Sequence, residues 1–223
     1  MYLVTAATDL EMEPFRAACR ADGVQYLVTG VGPVETAVRL SAWLGKNGDR
    51  VRGVVNFGVG GAYLQPEGGD MPRLLDICLA EQEVFGDLGV CLEDRIEPFS
   101  GTVFPVADRF VLDRGLLDRA VPILEANRVS FFSGVFVTVN CSSGTAKRGN
   151  MIAAQHKALC ENMEGAAVAR VCSEFALPCL ELRCISNLVE DRDTTRWQLR
   201  KACRKAAEVT GLIVEHLTAH PGR

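Results

Sequence analysis

The sequence predicts a single α/β domain in which helices cover both faces of a mostly parallel or mixed sheet. Three observations point there. Short apolar runs of strand length alternate with longer stretches of helical period from end to end. The 223 residues suffice for one α/β domain with a sizeable core and fall short of two. Hydrophobic residues make up 48% and charged residues 23%, an ordinary globular balance with no linker, repeat or low-complexity tract.

Residues 2–7 are an apolar run and read as a first, buried strand. Thr8-Asp9-Leu10-Glu11 opens a helix to about Ala21; a Thr three residues before a Glu is the pattern of a capping box. Residues 24–29 are a second strand. Gly30-Val31-Gly32-Pro33 is a turn, with Pro33 suited to the first helical position. The helix continues to Leu44 with Val34, Ala37, Val38, Ser41 and Leu44 along one face. Residues 51–57 are a third strand leading straight into Gly58-Val59-Gly60-Gly61-Ala62, and residues 74–80 another. Residues 82–100 are turn-rich and read as an excursion, followed by a short strand at 101–106. Residues 112–126 are helical by periodicity, 129–139 strand, Ser142-Ser143-Gly144 a turn and 145–155 helical. A short strand at 159–162 enters a helix at 163–175; residues 180–185 are strand, and 194–219 a long amphipathic helix. Ligands of such sheets bind beyond the carboxyl ends of the strands. Four polar groups fall there: Thr8 to Glu11, the Gly58 turn, Asn140 to Ser143, and Ser186-Asn187.

Several functions are disfavoured. Net charge is −4, the pI is about 5.5 and no basic tract stands out, which argues against a nucleic-acid partner. No apolar run reaches the length of a membrane span, and Met1-Tyr2-Leu3-Val4 lacks the charged start of a signal peptide. Nine cysteines without a C-x-x-C pair favour reduced thiols and a cytoplasmic setting, with Cys160, Cys172 and Cys184 as small core residues. His156, His216 and His220 do not form a metal spacing, so no metal is expected. Gly58-Val59-Gly60-Gly61-Ala62-Tyr63 fails the dinucleotide fingerprint at Tyr63, and no nucleotide cofactor is expected. Gly144 to Gly149 lacks the Gly-Lys-Ser/Thr ending of a phosphate loop, and Gly-x-Ser-x-Gly is absent.

One set of motifs holds together. Gly58-Val59-Gly60-Gly61, Asn162-Met163-Glu164-Gly165-Ala166 and Arg183-Cys184-Ile185-Ser186-Asn187 resemble the nucleoside phosphorylase/nucleosidase family in order and in approximate spacing. Val28 to Val34 fits as well, and the resemblance covers nearly the whole chain. It implies a three-layer α/β/α sandwich around a central mixed sheet, a homo-oligomer, a small purine nucleoside as ligand, and cleavage of an N-glycosidic bond. Within the family, the Ser-Asn-x-Val-x-x-Arg-Asp run followed by Trp197 points toward hydrolases of a nucleoside whose ribose carries an acidic aromatic group.

Such a reaction passes through an oxocarbenium-like sugar, so a site must steady the sugar, activate water and assist the leaving base. The resemblance places these roles residue by residue. Glu164 clamps the ribose diol, since a carboxylate accepts two hydroxyl hydrogen bonds at once; the competing reading is a Glu favoured by the dipole of a first helical turn. Met163 packs on the ribose or is a core residue. Glu11 is the base for water, with Glu13 in reserve, while a capping role for Glu11 competes. Asn187 stands where adenine-specific relatives carry Asp. An amide donates to N7 or O6 of a 6-oxopurine but cannot supply a proton as an acid. Ser186 is placed to orient Asn187. Val139 lies where the family sets backbone against the purine edge, and Phe136 or Thr138 flanks the base or is core. Gly58, Gly60 and Gly61 permit close approach of backbone to ligand. Val59 replaces a common Ser with no Arg close behind, which argues for water over phosphate as nucleophile. Arg192 and Arg196 are candidates for a substrate carboxylate, with Trp197 over its ring.

Overall fold

The computed structural model describes residues 1–64, 71–99 and 106–220. Among these residues, ten strands and six α-helices appear in the order β1 (Tyr2–Ala6), α1 (Asp9–Ala18), β2 (Val24–Val28), α2 (Pro33–Asn47), β3 (Gly53–Ala62), β4 (Ile77–Phe85), β5 (Gly89–Cys91), β6 (Ile96–Pro98), β7 (Arg109–Val111), α3 (Arg114–Ala126), β8 (Phe131–Thr138), α4 (Ala146–His156), β9 (Ala158–Asn162), α5 (Gly165–Glu174), β10 (Cys179–Leu188) and α6 (Leu199–Ala219).

Eight strands make one mixed sheet in the order β10-β4-β8-β9-β3-β1-β2, with β7 added to β4. β10 also pairs with β3, in parallel over Cys179 to Leu188, so five strands close into a ring while β1 and β2 extend from it. The β10–β4 and β3–β9 pairings are antiparallel, and β1–β2, β1–β3, β4–β8 and β8–β9 are parallel.

The alternation of side chains along β1 sets the layers. Tyr2, Val4 and Ala6 pack with Met12 and Phe15 of α1, Leu116 and Leu124 of α3, and Ile213 and Leu217 of α6. Leu3 faces the other way, onto Leu40 and Leu44 of α2 and Val168 and Val171 of α5. The expected sandwich is therefore present, with α1, α3 and α6 on one face and α2 and α5 on the other. Cys160, Cys172 and Cys184 are buried, as expected of core thiols.

Several expectations need correction. α2 buries Thr36, Leu40 and Leu44, whereas Val34 and Val38 are 71% and 62% exposed. The inward stripe is thus rotated from the valine stripe and runs through a threonine. Gly58 to Ala62 is not a turn after β3 but its last half, hydrogen-bonded to β10 and β9. The strand expected at 74–80 runs on to Phe85, so the excursion begins later and contains the β5–β6 hairpin. β7 lies before α3 as an unexpected edge strand, three residues long. The strand expected at 101–106 lies almost wholly outside the described residues. The last helix begins at Leu199, after a single 3-10 turn at Thr194–Arg196. No helix among the described residues is long and apolar enough to cross a membrane.

Candidate active site

The carboxyl ends of β1, β3 and β10 and the start of α5 surround a cleft of about 380 Å³. Glu11, Gly60, Met163, Glu164, Ser186, Asn187, Arg192 and Trp197 all line it, together with Thr8, Ser143, Glu161 and Arg183. A larger depression, about 920 Å³ between the hairpin and α4, contains none of the candidate residues.

Glu11 stands at one wall. It closes the capping box, its Oε2 accepting from the Thr8 amide at 3.0 Å and the Thr8 hydroxyl at 2.8 Å. Its Oε1 accepts from the Val59 amide at 3.1 Å. The capping and site readings are therefore compatible, because the box fixes the carboxylate without removing it from the cleft. Burial raises its pKa above the ordinary carboxylate range, against Arg183 and Thr8, which hold it down. That is the direction a proton acceptor near neutral pH requires. Glu13 is exposed on α1 and does not line the cleft.

Glu164 is the N-cap of α5, a position before the first helical turn. Its Oε1 accepts from the Gly32 amide at 3.1 Å and its Oε2 faces Arg183 Nη1 at 3.4 Å. Gly32 reaches it from a backbone at φ +90°, open to glycine at little cost.

Arg183 ties these groups together. It is 1% exposed, and donates to Glu181 at 2.9 Å, Val59 O at 3.2 Å, Asn162 Oδ1 at 3.3 Å and Glu164 at 3.4 Å. Burial works against its charge, but Glu181, Glu164 and Glu11 outweigh it and raise its pKa. Gly58 makes room: a Cβ there would sit 2.5 Å from Glu11 Oε1 and 2.8 Å from Arg183 Nη1.

A second tier lies beneath. Asn162 Oδ1 accepts from the amides of Glu164 at 2.9 Å and Gly165 at 2.7 Å, and its amide group donates to Glu83 at 2.6 Å. Thr138 donates to Glu83 at 2.8 Å and accepts from the Ala166 amide at 2.7 Å. Glu83 and Glu181 are both fully buried. Burial and then Glu181 push Glu83 well above the usual carboxylate range.

At the other end, a bulge between Ile185 and Asn187 re-registers β10 and sets Asn187 opposite Gly61. Ser186 donates to Asn187 Oδ1 at 2.8 Å, closer than to Gly60 O at 3.3 Å. This leaves the Asn187 NH₂, one hydrogen of which goes to Leu188 O at 3.3 Å, as the group on the cleft side. Arg192 stacks over Trp197 at 4.9 Å at the rim and makes no ion pair among the described residues.

Val139 lands elsewhere, and Phe136 takes its core reading. Val139 is core, its amide bonded to Asn162 O at 3.0 Å, and Phe136 is buried in a separate cluster. The loop residues that line the cleft are instead Ser142-Ser143. Sequence reasoning quoted Arg183 within a motif but assigned it no role, and passed over Glu161, Glu83 and Glu181. A charged Glu-x-Arg inside an apolar strand was the available signal for two of these.

Comparison with known proteins agrees with this architecture. Residues 16–219 match the model of the phosphorylase superfamily. The chain is 32% identical over 225 residues to futalosine hydrolase of Thermus thermophilus, covering 96% of each. It is 30% identical over 196 residues to futalosine hydrolase of Streptomyces coelicolor, covering 86% of this chain and 79% of that protein. A solved structure of a futalosine hydrolase mutant of Helicobacter pylori superposes with a TM-score of 0.83 at 21% identity, over 96% and 98% of the two chains. The chain belongs to the phosphorylase superfamily.

Proposed function

We propose that the cleft hydrolyses the N-glycosidic bond of futalosine, releasing hypoxanthine as a step of menaquinone biosynthesis. The observation that carries this reading is one cleft holding a fixed carboxylate at either side of Arg183, Glu11 and Glu164, with an amide donor, Asn187, at its far end. Its relatives of 30% identity or more named above support the choice of substrate.

Glu164 accepts hydrogen bonds from the ribose hydroxyls, and its charge favours the cationic sugar of the transition state. Glu11 takes a proton from water as the water oxygen bonds to C1′. The C1′–N9 bond breaks and its electron pair leaves with the purine. The Asn187 NH₂ donates to N7 or O6 as that charge develops. A ring nitrogen of the free base then takes a proton from solvent. Water is favoured over phosphate because the cleft-lining cations are Arg183, committed to carboxylates, and Arg192 at the rim. The exposed Arg192 guanidinium over Trp197 is suited to the carboxyphenyl group of futalosine.

Steady-state kinetics on futalosine, inosine and methylthioadenosine test the assignment. Futalosine is expected to have the highest kcat/KM. Preference for methylthioadenosine would overturn the role of Asn187, and equal turnover of inosine would remove the rim from substrate selection.

A further inference from the structure

We infer that Glu161 is a specificity-determining residue, the acceptor for the N1–H of a 6-oxopurine, working opposite Asn187 across a slot whose floor is Gly61. The inference rests on the reading of the cleft as a purine nucleoside site and adds the group that tells 6-oxo from 6-amino bases.

The slot follows from strand register. Glu161 of β9 pairs with Gly61 of β3, and Gly61 pairs with Asn187 of β10. The three residues form one row across neighbouring strands, whose flanking Cα atoms stand about 10 Å apart by two interstrand spacings. Both side chains lean over the middle residue, beside Val189: a Cβ built on Gly61 would lie 2.9 Å from Val189 Cγ2, 3.0 Å from Asn187 Nδ2 and 3.6 Å from Glu161 Cγ. The missing side chain of Gly61 therefore lets a donor and a carboxylate come close together over it, and all three residues line the cleft.

The polarity of each wall is set by neighbours. Ser186 occupies Asn187 Oδ1, and Nδ2 gives one hydrogen to Leu188 O at 3.3 Å, so its second hydrogen is the donor left for the slot. Glu161 is 6% exposed, with Oε1 accepting from the Ser143 amide at 2.8 Å and Oε2 from the Tyr63 hydroxyl at 3.2 Å. Each carboxylate oxygen keeps a lone pair after those bonds. Burial raises the Glu161 pKa, while Ser143, Tyr63 and Arg148 work in the opposite direction and favour the charged acceptor.

A 6-oxopurine presents N1–H as donor, then O6 and N7 as acceptors along one edge. That order matches an acceptor wall followed by a donor wall. A 6-aminopurine reverses it at two adjacent positions: its N1 lone pair meets the carboxylate and its amino group meets the amide. Unpaired polar groups in a buried site are the strong form of discrimination.

Binding of free bases by calorimetry tests this without turnover. The wild-type protein is expected to prefer hypoxanthine to adenine and to lose roughly 10- to 100-fold in affinity for 1-methylhypoxanthine, whose N1 carries no hydrogen. Glu161→Gln is expected to shrink both ratios by a similar factor, since the Gln oxygen can keep the Ser143 amide and its NH₂ can donate to a Tyr63 hydroxyl turned to accept, but that NH₂ offers no lone pair to N1–H. Equal binding of hypoxanthine and its 1-methyl derivative by wild type would overturn the inference with no variant involved. An equal loss for every base in Glu161→Gln would also overturn it, leaving Glu161 as a support for the Ser143 loop. Failure of futalosine to react would instead strike the proposed function and leave these base ratios readable.

Discussion

Replacing Arg183 by Gln leaves the shape of the site nearly intact and removes its only buried cation among the described residues. Four contacts go with it, to Glu181, Glu164, Asn162 and the Val59 carbonyl. The attraction lost is less important than what remains: Glu181 and Glu164, both buried, would face each other uncompensated. Breaking a buried pair by removing one partner costs about 3–5 kcal/mol. For a domain of this length that lowers Tm by roughly 6–20 °C. The loss should depend on pH with a definite sign. Glu11, Glu83 and Glu181 have folded pKa values raised above the ordinary 4.5, so the folded state binds more protons than the unfolded. Stability is then greatest below that value and falls as pH rises through the folded values. Loss of Arg183 raises those values further and extends the fall to higher pH. Differential scanning calorimetry of Arg183→Gln and wild type at about pH 5.5 and about pH 8 measures this. A Tm deficit clearly larger at the higher pH is expected. The same deficit at both, or none, would refute the claim that Arg183 neutralises the buried carboxylates.

Other substitutions separate chemistry from scaffold. Glu11→Gln should lower kcat on futalosine by about 10²- to 10⁴-fold with a loss of a few °C in Tm, since its NH₂ cannot accept from the Thr8 or Val59 amide that a carboxylate oxygen held; near-normal kcat would displace Glu11 as the base. Gly165→Ala should abolish folding or cost several °C in a melt, because its Cβ would run into the carboxylates of Glu83 and Glu181; an unchanged melting curve would mean that this pair can separate freely. Arg192→Ala should raise KM for futalosine by roughly 2- to 6-fold, the worth of an exposed ion pair, and leave inosine unaffected. Unchanged futalosine kinetics would remove Arg192 from the account.

Much of this site could be read from residue order, and the failures have physical reasons. Strand and helix alternation located β1, β10 and α5 because each is an almost continuously buried run of apolar or small residues. Periodicity misled at α2, where Val34 and Val38 look inward in sequence but Thr36 is the residue buried, satisfied by hydrogen bonding to Gly30 O and Thr29. The glycines of β3 suggested a turn; they are instead strand positions where β9 and β10 close the ring and side chains from elsewhere use the space. Glu11, Glu164 and Asn187 were found because each is a polar side chain at the end of a strand or the start of a helix, where the cleft lies. Arg183, Glu83 and Glu181 escaped because their roles exist only between strands distant in sequence. Val139 and Phe136 were placed by position along β8, and the loop that lines the cleft lies a few residues further on at Ser142-Ser143.

The most direct test of the central claim is chromatography of products from futalosine and wild-type protein in phosphate-free buffer. Stoichiometric hypoxanthine, at a rate unchanged when phosphate is added, is the result this account predicts. Hypoxanthine that appears only with phosphate would make the enzyme a phosphorylase, and no hypoxanthine at all would contradict the assignment of the cleft.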